Sequence, residues 1–234
     1  MNRVVISQPR YLPFLPYIQR LNHADTFVIL DNVQRQYLGF ENRNRIIVNS
    51  KLKWLTIPIS SSRKEKICLS KISGTCWIQD HINSLLEAYK KHTYFDISYI
   101  DAYYFQIANS IEHLSFSYSK ILIKFIYNLV DIFDLHANIV IASELDLPCS
   151  KGVENLFNIF EAVNGAIYIS GANGRNYGVK EYFENRGKKV VFHDPKPIGN
   201  ECNIPFLAFF DPLFNIGYSD VVSFIKSPLE LSEV

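Results

Sequence analysis

The residues with the clearest chemical potential lie in three short stretches, 8–13, 31–35 and 42–45, all near the start of the chain. Each stretch contains arginine, whose guanidinium group can bind the oxygen atoms of a phosphate or a carboxylate in a forked arrangement. The sequence therefore predicts a site for an anionic ligand. Its candidate ligand-binding residues are Gln8, Arg10, Tyr11, Gln34, Arg35, Asn42, Arg43, Asn44 and Arg45.

Two of these stretches, 42–45 and 8–13, also have an interpretation without a ligand. In an extended segment alternate residues share one face, so Arg43 and Arg45 would form a clamp for an anion. The alternative is a solvated edge strand whose charges prevent aggregation. The stretch 8–13 contains two prolines and could equally be a stiffened turn without a ligand.

Two residues are candidates for acid–base chemistry. Asp31 follows an apolar segment, where a carboxylate could accept a proton, bind a metal or hold a sugar hydroxyl, or simply form a turn or cap. His81 lies four residues after Trp77 on one helical face, so it is either an acid–base group or a packed side chain. We expect Asp31 and His81 to be the catalytic pair if the protein is an enzyme.

A fourth candidate segment, 169–177, joins a predicted strand to a helix. Ser170 and Gly171 are its candidate binding residues, because glycine lets a ligand approach the backbone closely. The segment is neither a P-loop nor a dinucleotide-binding GxGxxG fingerprint, and a plain turn is the alternative.

Metal binding is not predicted, since the six histidines and four cysteines show no paired spacing typical of a zinc site. The cysteines are expected to be reduced and mostly buried. The first 66 residues carry a net charge of +7, although the whole chain of 234 residues has a formal net charge of only +1. Such a local cationic field attracts an anionic ligand, unless the two halves of the chain simply neutralise each other. The near-neutral total argues against a protein that coats nucleic acid.

The elements that must position these residues alternate between strand and helix. Predicted strands and helices follow one another as strand 3–7, helix 16–23, strand 26–30, hairpin 46–59, helices 77–92, 101–115 and 118–134, strand 139–142, helix 151–163, strand 166–170, helix 178–186 and strand 189–192. This order predicts a three-layer α/β fold with a mainly parallel sheet. We expect one domain over 1–234, with an inserted helical subdomain at about 77–134. Ligands of such sheets bind beyond the carboxyl ends of the strands.

No secretory signal and no run of about 18 apolar residues is apparent, so we expect a cytoplasmic protein without membrane insertion.

The N-terminal third carries a specific set of motifs. It opens with VVISQPRYLPFLPYIQRLNHADTFVILDNVQ and continues with NRNRI at 42–46 and WLTIPI at 54–59. Weaker matches follow at Trp77, His81 and Tyr89, at 168–171 and at 211–217. With these motifs the chain resembles the WbqC-like protein family over nearly its whole length, and the resemblance adds Trp54 to the candidate binding residues. One departure is the segment 195–199, where members of the family usually carry a Tyr–Gln pair.

The resemblance implies a cytoplasmic enzyme of surface-polysaccharide biosynthesis, including O-antigen and lipopolysaccharide. We therefore expect a transferase or amide-forming ligase that adds an acyl or aminoacyl group, such as glycyl, to a nucleotide-linked amino sugar. ATP or an activated acyl or aminoacyl donor would be the co-substrate. The alternative is a non-catalytic protein that binds an anionic metabolite or a nucleotide sugar. Nucleic acid is a less favoured partner. The sequence does not decide between a monomer and a homodimer.

Overall fold

The computed structural model describes residues 1–36, 39–62, 64–111, 113–195 and 204–233. For residues 106 and 109 this description covers the backbone alone. Its strands are β1 (Arg3–Ser7), β2 (Thr26–Ile29), β3 (Arg43–Val48), β4 (Lys51–Thr56), β5 (Asn138–Ile141), β6 (Ile167–Gly171), β7 (Lys189–His193) and β8 (Leu231–Ser232). Its α-helices are α1 (Leu15–His23), α2 (Cys76–Tyr89), α3 (Ile97–Ser110), α4 (Tyr118–Phe133), α5 (Gly152–Ala162), α6 (Val179–Glu184), α7 (Phe210–Ile216) and α8 (Tyr218–Lys226).

Six strands form the central sheet in the order β5-β2-β1-β6-β7-β8. The pairs along this order are parallel except for the last, β7 with β8, which is antiparallel. The expected mainly parallel α/β fold is therefore confirmed. The chain moves outward from β1 in one direction and later returns to the other side of β1 at β6. Such a reversal of strand order opens a crevice beyond the carboxyl ends of β1 and β6.

The central strands are apolar because helices cover both faces of the sheet. Val4, Val5 and Ile6 of β1 are all buried, and they divide between two separate apolar clusters on the two faces. Val5 packs with α1 and with helices α2 to α4, whereas Val4 and Ile6 pack with α5 and α6. The three helices of the expected insertion thus share a core with one face of the central sheet.

The turn between β1 and α1 follows from its prolines. They exclude helix until residue 15, and Pro16 lies in the first turn of α1, where its missing N–H is not needed. The helix therefore begins about where the sequence predicted. Its buried face packs on the sheet and on α8, and it carries Arg20 inward.

Three local expectations need correction. The hairpin turns at Asn49–Ser50, where both residues have positive φ, so β4 begins at Lys51 rather than at Trp54. Helix α3 begins at Ile97 instead of 101, because the Asp96 carboxylate accepts a hydrogen bond from the Ser98 amide and caps the helix. Cys76 and Cys149 are exposed rather than buried, and residue 202 lies outside the described residues.

Candidate functional site

A pocket of about 560 Å³ opens beyond the carboxyl ends of β1, β6 and β7, at the point where the strand order reverses. This volume is typical of a site for a small ligand. Polar side chains from the three strand ends and from α1 meet apolar side chains at the rim. The polar lining includes Ser7, Gln8, Arg10, Arg20, Gln36, Ser170, Asn173, His193 and Asp194, and the apolar lining includes Phe14, Phe40, Leu156, Tyr177 and Phe206.

Two arginines give the pocket its charge. Arg10 comes from the turn after β1, and Arg20 reaches the pocket from the buried face of α1, where its exposed fraction is 7 %. Burial, followed by the nearby charge of Arg10, lowers the pKa of Arg20 to about 10. Burial also lowers the pKa of Arg10. Within the described parts of the chain, neither guanidinium has a carboxylate at ion-pair distance, and the charge of Glu41 acts on Arg10 only from farther away.

Arg10 is held by aromatic rings instead of by an acid. Its guanidinium carbon lies 5.3 Å from the ring centroid of Phe14 and 6.0 Å from those of Tyr17 and Phe40. The buried Nε of Arg10 has no hydrogen-bond partner among the described atoms. Buried donors are nearly always paired in folded proteins, so this atom is available for a ligand.

His193, the last residue of β7, is 1 % exposed and supplies a further donor. Its Nδ1 accepts a hydrogen bond from Arg20 Nη1 at 3.3 Å. Burial, reinforced by the charge of Arg20, lowers the pKa of His193 to about 4, so the ring is neutral at pH 7. Because Nδ1 accepts, the proton of the neutral ring lies on Nε2, and this buried atom has no partner in the described structure.

The acid at the pocket rim does not cancel these charges. Asp194 accepts two hydrogen bonds from the guanidinium of Arg175, at 2.8 and 2.6 Å, and another from Ser232 Oγ. The bonds from Arg175 and Ser232 lower the pKa of Asp194, which is therefore ionised. Its negative charge is already matched by Arg175.

An aromatic rim surrounds the opening. The rings of Phe14 and Phe206 lie 4.9 Å apart between centroids, Phe40 lines the pocket beside Arg10, and Tyr177 is 66 % exposed. Planar aromatic or sugar groups of a ligand can stack on such surfaces. On the opposite wall, a Cβ added at Gly174 would lie 2.1 Å from Ser170 Oγ, so a larger residue there would displace the serine hydroxyl.

Glu41 is buried close to the pocket but does not line it. Its Oε2 accepts a hydrogen bond from the backbone amide of Gln36, and the charges of Arg35 and Arg10 act on it. Burial outweighs these favourable contributions and raises the pKa of Glu41 to about 7. Glu41 is therefore partly protonated near neutral pH.

The structure brings part of the predicted site together. Gln8, Arg10, Ser170 and Gly171 all line the pocket. The sequence analysis did not select Arg20, Glu41 or His193. A polar residue at the end of a predicted parallel strand was an available signal for His193, whereas nothing in the sequence marked Arg20 as inward-facing.

Tyr11 and His81 lie together in the core rather than at the pocket. Tyr11 Oη is hydrogen-bonded to His81 Nδ1 at 2.7 Å and to Tyr104 Oη, and His81 Nε2 accepts from the Thr56 amide. Burial is the main cause that lowers the pKa of His81 to about 4. Both ring nitrogens are therefore occupied, and His81 links α2 to β4.

Asp31 connects three elements. Its carboxylate accepts hydrogen bonds from Ser119 Oγ on α4 and from both the amide and the hydroxyl of Ser143, and it is 1 % exposed. This arrangement fastens the end of β2 to α4 and to the segment after β5. Asp31 does not line the pocket.

The remaining predicted arginines lie outside the pocket lining. Arg35 donates to the carbonyl oxygens of Ser61 and Ser62, and Arg45 donates to that of Pro205. Arg43 and Arg45 share one face of the hairpin, as the alternation predicted, but both lie over the ring of Trp54, at 4.3 and 5.4 Å. Trp54 is 42 % exposed on that face.

The predicted amide residues of this region bind the backbone. Gln34 donates to the Lys64 carbonyl, Asn42 to that of Ile57, and Asn44 to that of Leu12 at 2.6 Å. Asn44 thereby holds the turn that carries Arg10, although none of the three lines the pocket.

Across the part of the chain that the structure describes, no three His, Cys, Asp or Glu side chains gather in a way that could hold a metal ion. No helix of the described residues is long and apolar enough to cross a membrane.

A mainly parallel sheet with a reversed strand order, and a pocket lined by two arginines at the point of reversal, define an α/β protein with a candidate ligand site. The chain belongs to the WbqC-like protein family, whose model matches residues 8–222. It is similar to a protein of Mycobacterium tuberculosis (strain ATCC 25618 / H37Rv) named "Uncharacterized protein Rv1507c". The two are 26 % identical over 225 residues, which cover 93 % of this chain and 95 % of the relative. No solved structure matches the chain significantly.

The hydrogen bonds of Asp31 lead to a prediction about stability. Asp31→Ala leaves the buried hydroxyl of Ser119 unpaired and removes the two bonds from Ser143, so it should lower the free energy of unfolding by about 2–4 kcal/mol. Urea unfolding followed by circular dichroism measures this, with Asp101→Ala on the exposed face of α3 as the control. A loss no larger than that of the control would contradict the structural role of Asp31.

The raised pKa of Glu41 leads to a prediction about pH. Because folding favours the protonated form, the stability that this proton contributes is fully present below about pH 4.5 and is lost as the pH rises through about 7. Glu41→Gln mimics the protonated form. It should match the original protein at pH 4.5 and exceed its unfolding free energy by on the order of 3 kcal/mol at pH 8.5. Urea titrations at the two pH values, with exposed Glu184→Gln as control, measure the difference. If Glu41→Gln changes the unfolding free energy equally at both pH values, the prediction is wrong.

Proposed function

We propose that the chain is a transferase or amide-forming ligase acting on a nucleotide-linked amino sugar, and that its pocket binds the phosphate groups of that substrate. The observation that carries this proposal is the pair of guanidinium groups, Arg10 and Arg20, which face the pocket without a carboxylate partner in the described structure. Removing a charge from water costs several kcal/mol when no opposite charge replaces the lost hydration. An anionic substrate supplies that opposite charge.

The shape of the pocket supports a substrate with more than a phosphate. The arginines lie beside Gly171, where a built Cβ would be 3.6 Å from Arg20 Nη1, so the backbone leaves space next to the charge. The aromatic rim at Phe14, Phe40 and Phe206 offers surfaces for a base or a sugar ring. A volume of about 560 Å³ accommodates a ligand of this size.

In the proposed reaction, the amine of the sugar attacks the carbonyl carbon of an activated acyl or aminoacyl donor. A C–N bond forms, the bond between the carbonyl carbon and the leaving group breaks, and the amine loses a proton to water. ATP, or a donor activated beforehand, provides the leaving group. Fixed positive charge near the reacting atoms stabilises the negative charge that develops on the carbonyl oxygen or on the leaving group. We place this reaction in cytoplasmic surface-polysaccharide biosynthesis, as the family resemblance implies.

A second candidate is a non-catalytic protein that binds a nucleotide sugar or another anionic metabolite. The observation in its favour is that Asp31 and His81, the residues expected to take the proton of the amine, are outside the pocket lining and use their hydrogen-bonding atoms in the core. A binder needs the arginines but no base.

The two candidates separate in one experiment. The protein is incubated with ATP, glycine or an acyl donor, and amino sugars linked to UDP, GDP or dTDP, and products are identified by mass spectrometry. Conversion of one sugar nucleotide to its amide supports the enzyme. Thermal stabilisation by a sugar nucleotide without conversion supports the binder. If no sugar nucleotide is either bound or converted, the enzyme and the binder of a nucleotide sugar are both ruled out.

Variants then test the location of the site. Arg10→Gln should weaken binding of the active sugar nucleotide at least about ten-fold, because one charge-assisted contact is lost. The matched control is Arg186→Gln, an exposed arginine near the C-terminal end of α6, which should bind like the original protein. Equal affinity of Arg10→Gln and the control would contradict the proposed pocket.

A further inference from the structure

The innermost polar groups of the pocket indicate the chemical group of a ligand that binds there. We propose that Arg10, Arg20 and the Nε2–H of His193 form a subsite for a dianionic phosphate group, which in the substrate is the diphosphate with one negative charge on each phosphorus, in preference to a carboxylate. This inference deepens the proposed function and rests on it for the pocket as the ligand site. It goes further by assigning the charge of the bound group and the protonation state of the histidine that binds it.

The first argument is the number of donors left without a partner. Arg10 Nε and His193 Nε2 are buried and have no hydrogen-bond partner among the described residues. The guanidinium of Arg20 makes one hydrogen bond there, to His193. Donors in this state are costly when the pocket is empty of acceptors. A diphosphate has four non-bridging oxygens and a phosphomonoester has three, whereas a carboxylate has two oxygens, so the phosphate groups satisfy more of the three residues.

The second argument is the charge balance. Arg10 and Arg20 contribute two positive charges, His193 is neutral, and Asp194 is matched by Arg175. A carboxylate would compensate one of the two guanidinium groups, and the diphosphate would compensate both. Glu41, which acts on Arg10, is partly protonated and lies outside the pocket lining. Since an uncompensated buried charge costs several kcal/mol, the difference favours the dianion.

The third argument concerns His193 itself. The groups that act on it are Arg20, which donates to Nδ1, together with Asp194 and His23, and Glu41 acts on Arg10 from the other side. The hydrogen bond from Arg20 requires a free lone pair on Nδ1, which a protonated imidazolium does not have. His193 therefore binds as a neutral donor through Nε2, and Arg20 positions it.

Calorimetry with two small probes tests the charge preference. Glycerol 1-phosphate and glycerate share the HOCH2–CHOH group, which is followed by a phosphate ester of a CH2 group in the first and by a carboxylate in the second. At pH 7.5 we expect glycerol 1-phosphate to bind at least about ten-fold more tightly. Equal or tighter binding of glycerate would overturn the inference.

Variants test the individual donors. Arg20→Met should abolish the preference for phosphate, and His193→Phe should reduce phosphate affinity about ten-fold, because a hydrogen bond to a charged group is lost. His136→Phe, at an exposed position between α4 and β5, is the control. His193→Gln, which retains an N–H donor, should recover part of the loss. If His193→Phe keeps the original phosphate affinity and a normal thermal midpoint, His193 is not part of the subsite.

The protonation state is tested by pH. A phosphomonoester loses its second proton near pH 6, so affinity for glycerol 1-phosphate should rise between about pH 5 and pH 7 if His193 is neutral throughout. A requirement for imidazolium would make the affinity fall over this interval. The titration is repeated in Glu41→Gln, because the carboxyl of Glu41 acts on Arg10 and titrates near pH 7 in the original protein.

The outcomes also separate this inference from the proposed function. Binding of glycerol 1-phosphate that depends on Arg20 and His193, without binding of any sugar nucleotide, would support the subsite and refute the function. Conversion of a sugar nucleotide that is unaffected by Arg20→Met and His193→Phe would support the function and refute the subsite.

Discussion

Two like charges held close together without an acid are the constraint on which this account depends. Arg10 and Arg20 both project into the crevice beside β1, and the charge of one lowers the pKa of the other. Their mutual repulsion and their loss of hydration oppose folding of the free protein. Natural proteins retain such destabilising arrangements where function requires them. In the proposed function, the arrangement prepares the pocket for a ligand of opposite charge, because the cost of dehydrating the arginines is met before the ligand binds.

The rest of the fold holds these two side chains in place. Asn44 bonds the turn that carries Arg10, and the prolines of that turn limit its conformations. Helix α1 is fixed between the sheet and α8, where Gln19 donates to carbonyl oxygens at the end of α8. Parallel strands end at the same edge, so β6 and β7 deliver Gly171 and His193 to the same crevice. Residues far apart in the sequence thus line one pocket.

Much of the fold could be predicted from the sequence, because buried parallel strands and amphipathic helices have clear apolar patterns. The residues of the candidate site were harder to predict. Gln8, Arg10, Ser170 and Gly171 were accessible because they follow strands directly, but Arg43 and Arg45 stack on Trp54 instead. Local alternation shows that two residues share a face and not what that face contacts. Asp31 and His81 similarly look chemical in sequence, whereas tertiary hydrogen bonds occupy them. Arg20 could not be selected, since an arginine on a helix is exposed in most proteins.

The free energy of unfolding of Arg20→Met, measured in phosphate-free buffer, tests the central claim most directly. If Arg20 is a buried charge retained for a ligand, replacing it with an apolar side chain of similar length should raise the unfolding free energy by about 1–3 kcal/mol. If Arg20 instead stabilises the fold through its own contacts, the same substitution should lower it by a similar amount. That second result would contradict the account.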